Sequence, residues 1–173
     1  MTGSSDGKKL DSEVDIPALI AALHDKDAVA RRRARDQLVA LGKPSVGALV
    51  ELFKMPKSHV RWEAAKALSG IADPTAASIL VEVLENDEDS DVRWLAAEGL
   101  IAVGRGGLLP LLAALADRPK STTLQEGAYR VCHHLRRRKA FEMVKHVLAA
   151  LKDPEPELAI PQAIHTVLEE LKD

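Results

Sequence analysis

One phrase occurs twice in the 173-residue chain, as HVRWEAAKAL from His59 and as DVRWLAAEGL from Asp91. The two copies lie 32 residues apart, and the chain's two tryptophans, Trp62 and Trp94, occupy the same offset in each. With Val60 as offset zero, apolar or small residues stand at offsets 0, 4, 8 and 11, and this pattern occurs four times. The four copies are Ala30-Ala34-Leu38-Leu41, Val60-Ala64-Leu68-Ile71, Val92-Ala96-Leu100-Val103 and Leu124-Ala128-Cys132-Leu135. Four copies at intervals of 30 to 32 residues constitute an internal repeat.

Each copy has the period of an amphipathic helix. At 100° per residue the four offsets lie within about 80° of one another, so each copy presents one apolar stripe. A second apolar segment of helical period lies between successive copies, at 46–53, 75–84 and 108–115. Gly42 and Gly104 stand where glycine ends a helix. Each repeat unit is therefore predicted to be helix, turn, helix.

The ends of the chain extend this array. Residues 16–23 are predicted to form the outer helix before the first copy, and residues 141–151 the outer helix after the fourth. A final inner helix is predicted around Ile160 and Leu171. One hairpin cannot bury its own stripe, so the pairs must stack. The sequence predicts an all-α fold, an α-solenoid of about five helix hairpins, with a flexible leader at 1–13 and a single repeat domain at 14–173.

Composition limits the partners and the compartment. Twenty-four basic and 26 acidic residues give a net charge of -2, so no overall field attracts nucleic acid or anionic lipid. The apolar run at 108–116 is too short for the roughly 20 residues of a membrane span. One cysteine, Cys132, fits a reducing compartment. We therefore expect a cytoplasmic protein with no membrane partner, for which nucleic acid is an improbable ligand.

The phrase Val-Arg-x-x-Ala-Ala-x-x-Leu, with Ala-Asp-Pro at 72–74 and an acidic run at 86–91, resembles a known repeat. It is similar to the short bacterial HEAT-like repeat first named after phycobilisome lyases, and the resemblance covers about residues 15–172. The resemblance implies a curved, right-handed stack whose second helices line the concave side. It also implies that Arg61 and Arg93, at offset one, form a ladder of Arg-to-Asp pairs between repeats. Members of this family are scaffolds, lyases and metalloenzymes, so the fold alone does not fix the activity.

Offset two lies nearly opposite the apolar stripe, at about 200°, so its residues are expected to project from the stack. Trp62 and Trp94 occupy this offset, and exposed tryptophans are favoured anchors of binding interfaces. The alternative is that each indole packs over the next repeat. The predicted partner-binding surface on the concave face comprises Trp62, Trp94, Arg32, Lys66, Glu98 and Arg130.

No catalytic or metal-binding constellation is found in the sequence. Among hydroxylases built from similar repeats, iron ligands come from His-Glu pairs where this chain has Trp62-Glu63 and Trp94-Leu95, and no His-Glu dipeptide occurs anywhere in it. None of the six histidines lie three or four residues apart, the spacing that places two imidazoles on one helix face. Cys132 occupies a buried offset and is predicted to be an inert thiol. We predict neither enzyme activity nor a cofactor.

Three functional hypotheses remain. The first is a non-catalytic scaffold that binds a protein or peptide on the concave face. The second, from the family resemblance alone, is a lyase-like or chaperone-like protein for an open-chain tetrapyrrole (bilin). The third is a nucleic-acid backbone binder that uses the basic clusters at 31–35 and 136–139. The sequence identifies neither the partner nor the oligomeric state.

Overall fold

The computed structural model describes residues 15–138 and 142–170, and helices are the regular structure that these residues form. Short 3-10 segments, Leu52–Lys54 and Pro74–Ala76, follow α3 and precede α5. The α-helices are α1 (Ile16–Ala22), α2 (Ala28–Leu41), α3 (Lys43–Glu51), α4 (Ser58–Ile71), α5 (Ala77–Asn86), α6 (Ser90–Val103), α7 (Arg105–Asp117), α8 (Thr122–Leu135), α9 (Val144–Ala150) and α10 (Pro156–Glu170). The prediction of an all-α solenoid with about ten helices is confirmed. The leader at 1–13, residues 139–141 and Leu171 lie outside the described residues.

The helices stack as the repeat predicts. We call α2, α4, α6 and α8, which carry the four copies of the pattern, the second-helix row, because each packs beside the next. Offsets 4 and 8 of the pattern are buried in all four copies. Helices α5 and α7 pack against each other and against α6. They form a second layer beside the second-helix row. The core therefore lies between two layers of helices and is built mainly from Leu, Ala and Val.

The last hairpin departs from the predicted order. Helix α9 packs beside α8, and the main neighbours of α10 are α7 and α9. The sequence predicts α9 as an outer helix and α10 as the next inner helix, but α10 lies on the outer layer. The second-helix row consequently ends at α8, with the C-terminal end of α9 beside it.

Short polar side chains and glycines define the helix ends. Asp27 and Asp89 accept hydrogen bonds from backbone N–H groups in the first turns of α2 and α6. Gly42 and Gly104 end α2 and α6 with φ of 70° and 71°, a region that glycine adopts without steric cost. The predicted role of both glycines is confirmed. Ala72 ends α4 with φ of 55°, although its side chain disfavours that conformation.

We expect the substitution Ala72→Gly to stabilise the protein by about 0.5–1 kcal/mol, because it removes the left-handed strain of a β-carbon at this position. Urea unfolding followed by circular dichroism measures the change. Gly42→Ala is the control of opposite sign: open space surrounds a β-carbon there, so only backbone strain is added, and at φ 70° and ψ -135° that strain lowers stability by about 1–3 kcal/mol. An unchanged midpoint for Ala72→Gly would show that α4 relieves the strain in another way.

Candidate binding surface

The arginines at offset one have the same structural role in three repeats. Arg31, Arg61 and Arg93 each place Nη1 within hydrogen-bond distance of two carbonyl oxygens of the linker that precedes their helix. The distances range from 2.7 Å, for Arg93 to the Asp87 carbonyl, to 3.2 Å, for Arg93 to the Glu88 carbonyl. These bonds satisfy carbonyl groups that no helix pairs, so each arginine attaches its linker to the following helix.

Arg61 also links two repeats. Its Nε lies 2.8 Å from Asp87 Oδ2 and its Nη2 3.0 Å from Asp87 Oδ1, a bidentate pair between α4 and the linker before α6. Both side chains are largely buried. The hydrogen bond to Asp87 raises the pKa of the Arg61 guanidinium, and burial partly opposes this rise. The predicted structural role of Arg61 is confirmed, and Asp87 is the acid that pairs with it.

Trp62 belongs to a second buried charge network. Glu63, 4% exposed, accepts hydrogen bonds from Arg31 Nε at 3.1 Å and from Arg35 Nη1 at 2.6 Å. The guanidinium of Arg35 lies 5.7 Å from the centroid of the Trp62 ring. Trp62 is half-buried and packs against the core. The indole of Trp62 is therefore mainly a packing group between α2 and α4.

Trp94 stands in a different environment on α6. It is 44% exposed, and the guanidinium of Arg130 on α8 lies 5.0 Å from its ring centroid. Arg130 Nη1 also lies 3.5 Å from Glu98 Oε1, one turn further along α6. We call Trp94, Glu98 and Arg130 the Trp94 cluster. Half of the predicted partner-binding residues thus lie together on the second-helix row.

The other predicted residues lie apart from the Trp94 cluster. Arg32 is exposed and forms an ion pair with Asp36 on its own helix, with Nε 3.7 Å from Oδ2. Lys66 is exposed on α4. Within 15–138 and 142–170, no hydrogen bond, ion pair or ring contact joins either side chain to Trp94, Glu98 or Arg130.

An exposed aromatic residue that the sequence analysis missed lies beside the cluster. Tyr129 is 38% exposed, and its ring stacks on the His133 imidazole with a centroid distance of 5.7 Å and an angle of 22° between the planes. Lys152 Nζ, which follows α9, lies 5.6 Å from the Tyr129 ring centroid. Tyr129 is at offset five, where the second and third copies have the buried Ala65 and Ala97, so the repeat pattern gave no signal of its exposure. Lys152 could not be placed, since its location depends on the reversed last hairpin.

Two shallow depressions flank Arg130, which lines both. One has a volume of about 390 Å³ and extends toward the end of α8; the other, of about 190 Å³, includes Trp94. The larger is lined by Glu98, Ile101, Tyr129, Arg130, His133, His134 and Arg137. Arg130 therefore separates the exposed face of Trp94 from a second recess on the same surface.

A larger groove of about 620 Å³ lies elsewhere, between α3 with its 3-10 extension and α5. Its floor includes Phe53 and Ile79, and one wall is the Arg61–Asp87 pair. That pair already has a structural role, and neither Trp94 nor Tyr129 lines the groove. Size alone therefore does not make it the candidate site.

The residues present do not fit an iron centre of the hydroxylase kind. Both carboxylate oxygens of Glu63 are held by Arg31 and Arg35, and the position corresponding to Glu63 in the next copy is Leu95, a buried side chain that cannot bind a metal. Among the residues that the structure describes, no group of three or more His, Cys, Asp or Glu side chains is placed to hold a metal ion. Burial raises the pKa of the Cys132 thiol to about 12, so it stays protonated at neutral pH.

These features define an α-solenoid of stacked helix hairpins with a mixed aromatic and charged surface on its second-helix row. The HEAT-repeat family matches residues 16–101. The chain is a HEAT-like repeat protein. In the part of the chain that the structure describes, no helix is both long and apolar enough to cross a membrane.

The proteins similar to this chain include a hydroxylase and a chain of a lyase complex. A deoxyhypusine hydroxylase from Drosophila pseudoobscura pseudoobscura is 30% identical over 112 residues, which cover 62% of this chain and 37% of the relative. The chain thus spans little more than a third of that relative's length. The solved complex of CpcE and CpcF of phycocyanin lyase from Nostoc sp. PCC7120 contains a chain with a TM-score of 0.53 and 24% identity. The match covers 86% of this chain and 96% of the other, and at that identity it shows a shared fold.

Proposed function

We propose that the protein is a non-catalytic scaffold that binds a protein or peptide segment on its second-helix row, with Trp94 as the anchor. The observation that carries this proposal is the exposure of Trp94, 44% of whose surface meets solvent although its ring is large and mainly apolar. A buried partner surface would remove that area from water, which is the usual source of tryptophan's contribution to interfaces.

The surroundings of Trp94 support the same function. Arg130 and Glu98 are both partly exposed, so they can exchange their mutual ion pair for contacts with a partner at little cost. Two recesses beside Arg130 offer space for partner side chains. The structural neighbour was solved as a complex of CpcE and CpcF, so this fold is compatible with a protein partner.

The lyase-like alternative is supported only by the shared fold. An identity of 24% transfers no residue of a lyase site to this chain. Similarly, the hydroxylase relative is matched over 37% of its length, and the Trp62-Glu63 and Trp94-Leu95 positions lack histidine. Addition of a bilin without any change in its visible absorbance would exclude the tetrapyrrole alternative.

We expect the substitution Trp94→Ala to reduce capture of partners by at least about tenfold, because an anchor residue contributes roughly 2 kcal/mol or more to an interface. Affinity capture with the tagged wild-type protein and the variant, followed by quantitative mass spectrometry, measures the effect. Leu158→Ala is the matched control, since Leu158 on α10 is an apolar side chain with 69% exposure away from the second-helix row. Equal capture by wild type and Trp94→Ala would contradict the proposed anchor.

A further inference from the structure

Positive charge is concentrated at the end of the second-helix row. Arg130 and Arg137 line the larger recess together with His133 and His134, and Arg136 Nη2 lies 2.9 Å from His133 Nε2. Glu98 is the one carboxylate among the described lining residues of that recess, and it is already paired with Arg130. The recess therefore has an excess of cations over available anions.

The imidazole of His133 lies in the same positive field. The positive charge of Arg136, followed by burial and by the charges of Arg137, Lys152 and His134, lowers the pKa of His133. These groups belong to the end of α8 and to the segment after α9, so charges from two elements converge on one imidazole. A lowered pKa means that the free surface resists the addition of one more positive charge.

Exposed aromatic rings lie on both sides of this positive region. Trp94 is next to Arg130 on the α6 side, and Tyr129 lies between His133 and Lys152 on the α9 side. Cations and aromatic faces thus alternate across α6, α8 and α9. Such a surface is complementary to a chain in which carboxylates alternate with aromatic or apolar side chains.

We propose that the segment bound by this protein is acidic, with aromatic or apolar side chains between its carboxylates, and that it lies across the surface formed by Trp94, Tyr129, Arg130, His133 and Arg137. This inference rests on the proposed function and names the chemistry of its partner. Carboxylates of the segment pair with Arg130 and Arg137, and its apolar side chains cover Trp94 and Tyr129.

Glu98 acts as an internal competitor in this arrangement. Its carboxylate holds Arg130 at 3.5 Å, over the face of Trp94, in the same way that a partner carboxylate would. Docking of an acidic segment replaces this contact and frees Arg130 from the Trp94 ring. Removal of the Glu98 charge therefore strengthens binding, a result that a merely structural ion pair would not give.

A nucleic-acid strand fits the same surface less well. Affinity for a phosphate backbone grows with the number of phosphates that cations neutralise, so it requires a continuous basic track. The second-helix row has mixed charge: Asp36 pairs with Arg32 on α2, and Glu98 and Glu126 interrupt the surface on α6 and α8. The positive region is short, which suits a short acidic segment.

The test uses fluorescence anisotropy of labelled probes with the intact protein. The probes are a random copolymer of glutamate and tyrosine, a copolymer of lysine and tyrosine, polyglutamate and an oligothymidylate. We expect the glutamate–tyrosine copolymer to bind at least about tenfold more tightly than the other three, because polyglutamate has no ring, the lysine copolymer has the wrong charge, and the phosphates of the oligothymidylate need a longer basic track.

Three variants locate the binding site for that copolymer. Arg137→Glu weakens its binding by about tenfold, since a contact charge is reversed. Glu98→Gln strengthens binding by about threefold, since Arg130 is released and one like charge is removed. Arg33→Glu is the matched control, with the same change of net charge at an exposed position on α2, and leaves binding within about twofold.

Each other outcome overturns the acidic assignment. Tighter binding of the lysine copolymer would show a partner of opposite charge and would leave the Trp94 anchor of the proposed function intact. Binding of oligothymidylate as tight as that of the glutamate–tyrosine copolymer would indicate a nucleic-acid ligand. Equal weakening by Arg33→Glu and Arg137→Glu, or no gain from Glu98→Gln, would show that the Trp94 cluster does not recognise the carboxylates.

Discussion

The substitution Arg61→Ala is expected to lower the free energy of unfolding by about 3–5 kcal/mol. It leaves the Asp87 carboxylate, which is largely buried, without its bidentate partner. It also removes the donor to the Met55 and Pro56 carbonyls, so the linker before α4 loses its attachment to the helix. Urea unfolding followed by circular dichroism measures the loss.

Two controls separate this pair from general effects of removing a charge. Lys66→Ala, at an exposed position further along α4, is expected to change stability by less than about 0.5 kcal/mol. The double substitution Arg61→Ala/Asp87→Ala is expected to cost less than the sum of the two single substitutions, because it leaves no buried charge unpaired. Strict additivity would show that the two side chains do not stabilise the fold as a pair.

The helical architecture could be predicted because the repeated pattern determines the buried stripe, the helix ends and the packing between helices. The buried stripe at offsets 4 and 8, the glycine ends of α2 and α6 and the aspartate at the start of α6 are all local signals. Each was visible in the sequence, and each agrees with the packing of the next helix. The exchange of layers by α9 and α10 was not visible, because it depends on contacts of α10 with α7, a helix nearly forty residues earlier in the chain.

The candidate site was predicted only in part, because the two tryptophans have different neighbours. The difference lies at offset five of the preceding helix in the second-helix row. That position is Arg35 before Trp62 but Ala65 before Trp94. Arg35 is held by Glu63 and covers the Trp62 ring, whereas Ala65 is a fully buried side chain too short to cover Trp94. The Trp94 ring instead lies against Arg130 of α8, the next helix of the second-helix row. Equal positions in a repeat thus acquire different environments from the residues of neighbouring helices.

The same difference explains why a repeated phrase need not have one role. Two copies of Val-Arg-Trp place their indoles at one offset, and the arginines of both copies hold linker carbonyls in the same way. The tryptophans diverge because the preceding helix of the row supplies Arg35 at offset five for Trp62 but Ala65 for Trp94. Trp62 has become part of the α2–α4 contact, while 44% of the Trp94 surface stays exposed among the residues that the structure describes.

We expect Trp62→Ala to lower the free energy of unfolding by about 2–4 kcal/mol, and Trp94→Ala to lower it by at least about 1 kcal/mol less than that. Trp62 is half-buried against the core, so its removal leaves a cavity between α2 and α4 and uncovers the Arg35–Glu63 pair. Trp94 exposes 44% of its surface and Trp62 exposes less, so removal of Trp94 deletes less packed area. Urea unfolding followed by helical circular dichroism measures both variants without relying on tryptophan emission.

Collisional quenching with acrylamide provides an independent check, with Trp62→Phe and Trp94→Phe each retaining one tryptophan. The emission of Trp94 alone is expected to be quenched more strongly than that of Trp62 alone, because quencher reaches only exposed indole faces. Equal stability losses in the two alanine variants, together with equal quenching, would mean that the two rings have equivalent environments. The anchor role of Trp94 would then have no physical basis, since the asymmetry between the copies is what distinguishes a binding surface from inter-repeat packing.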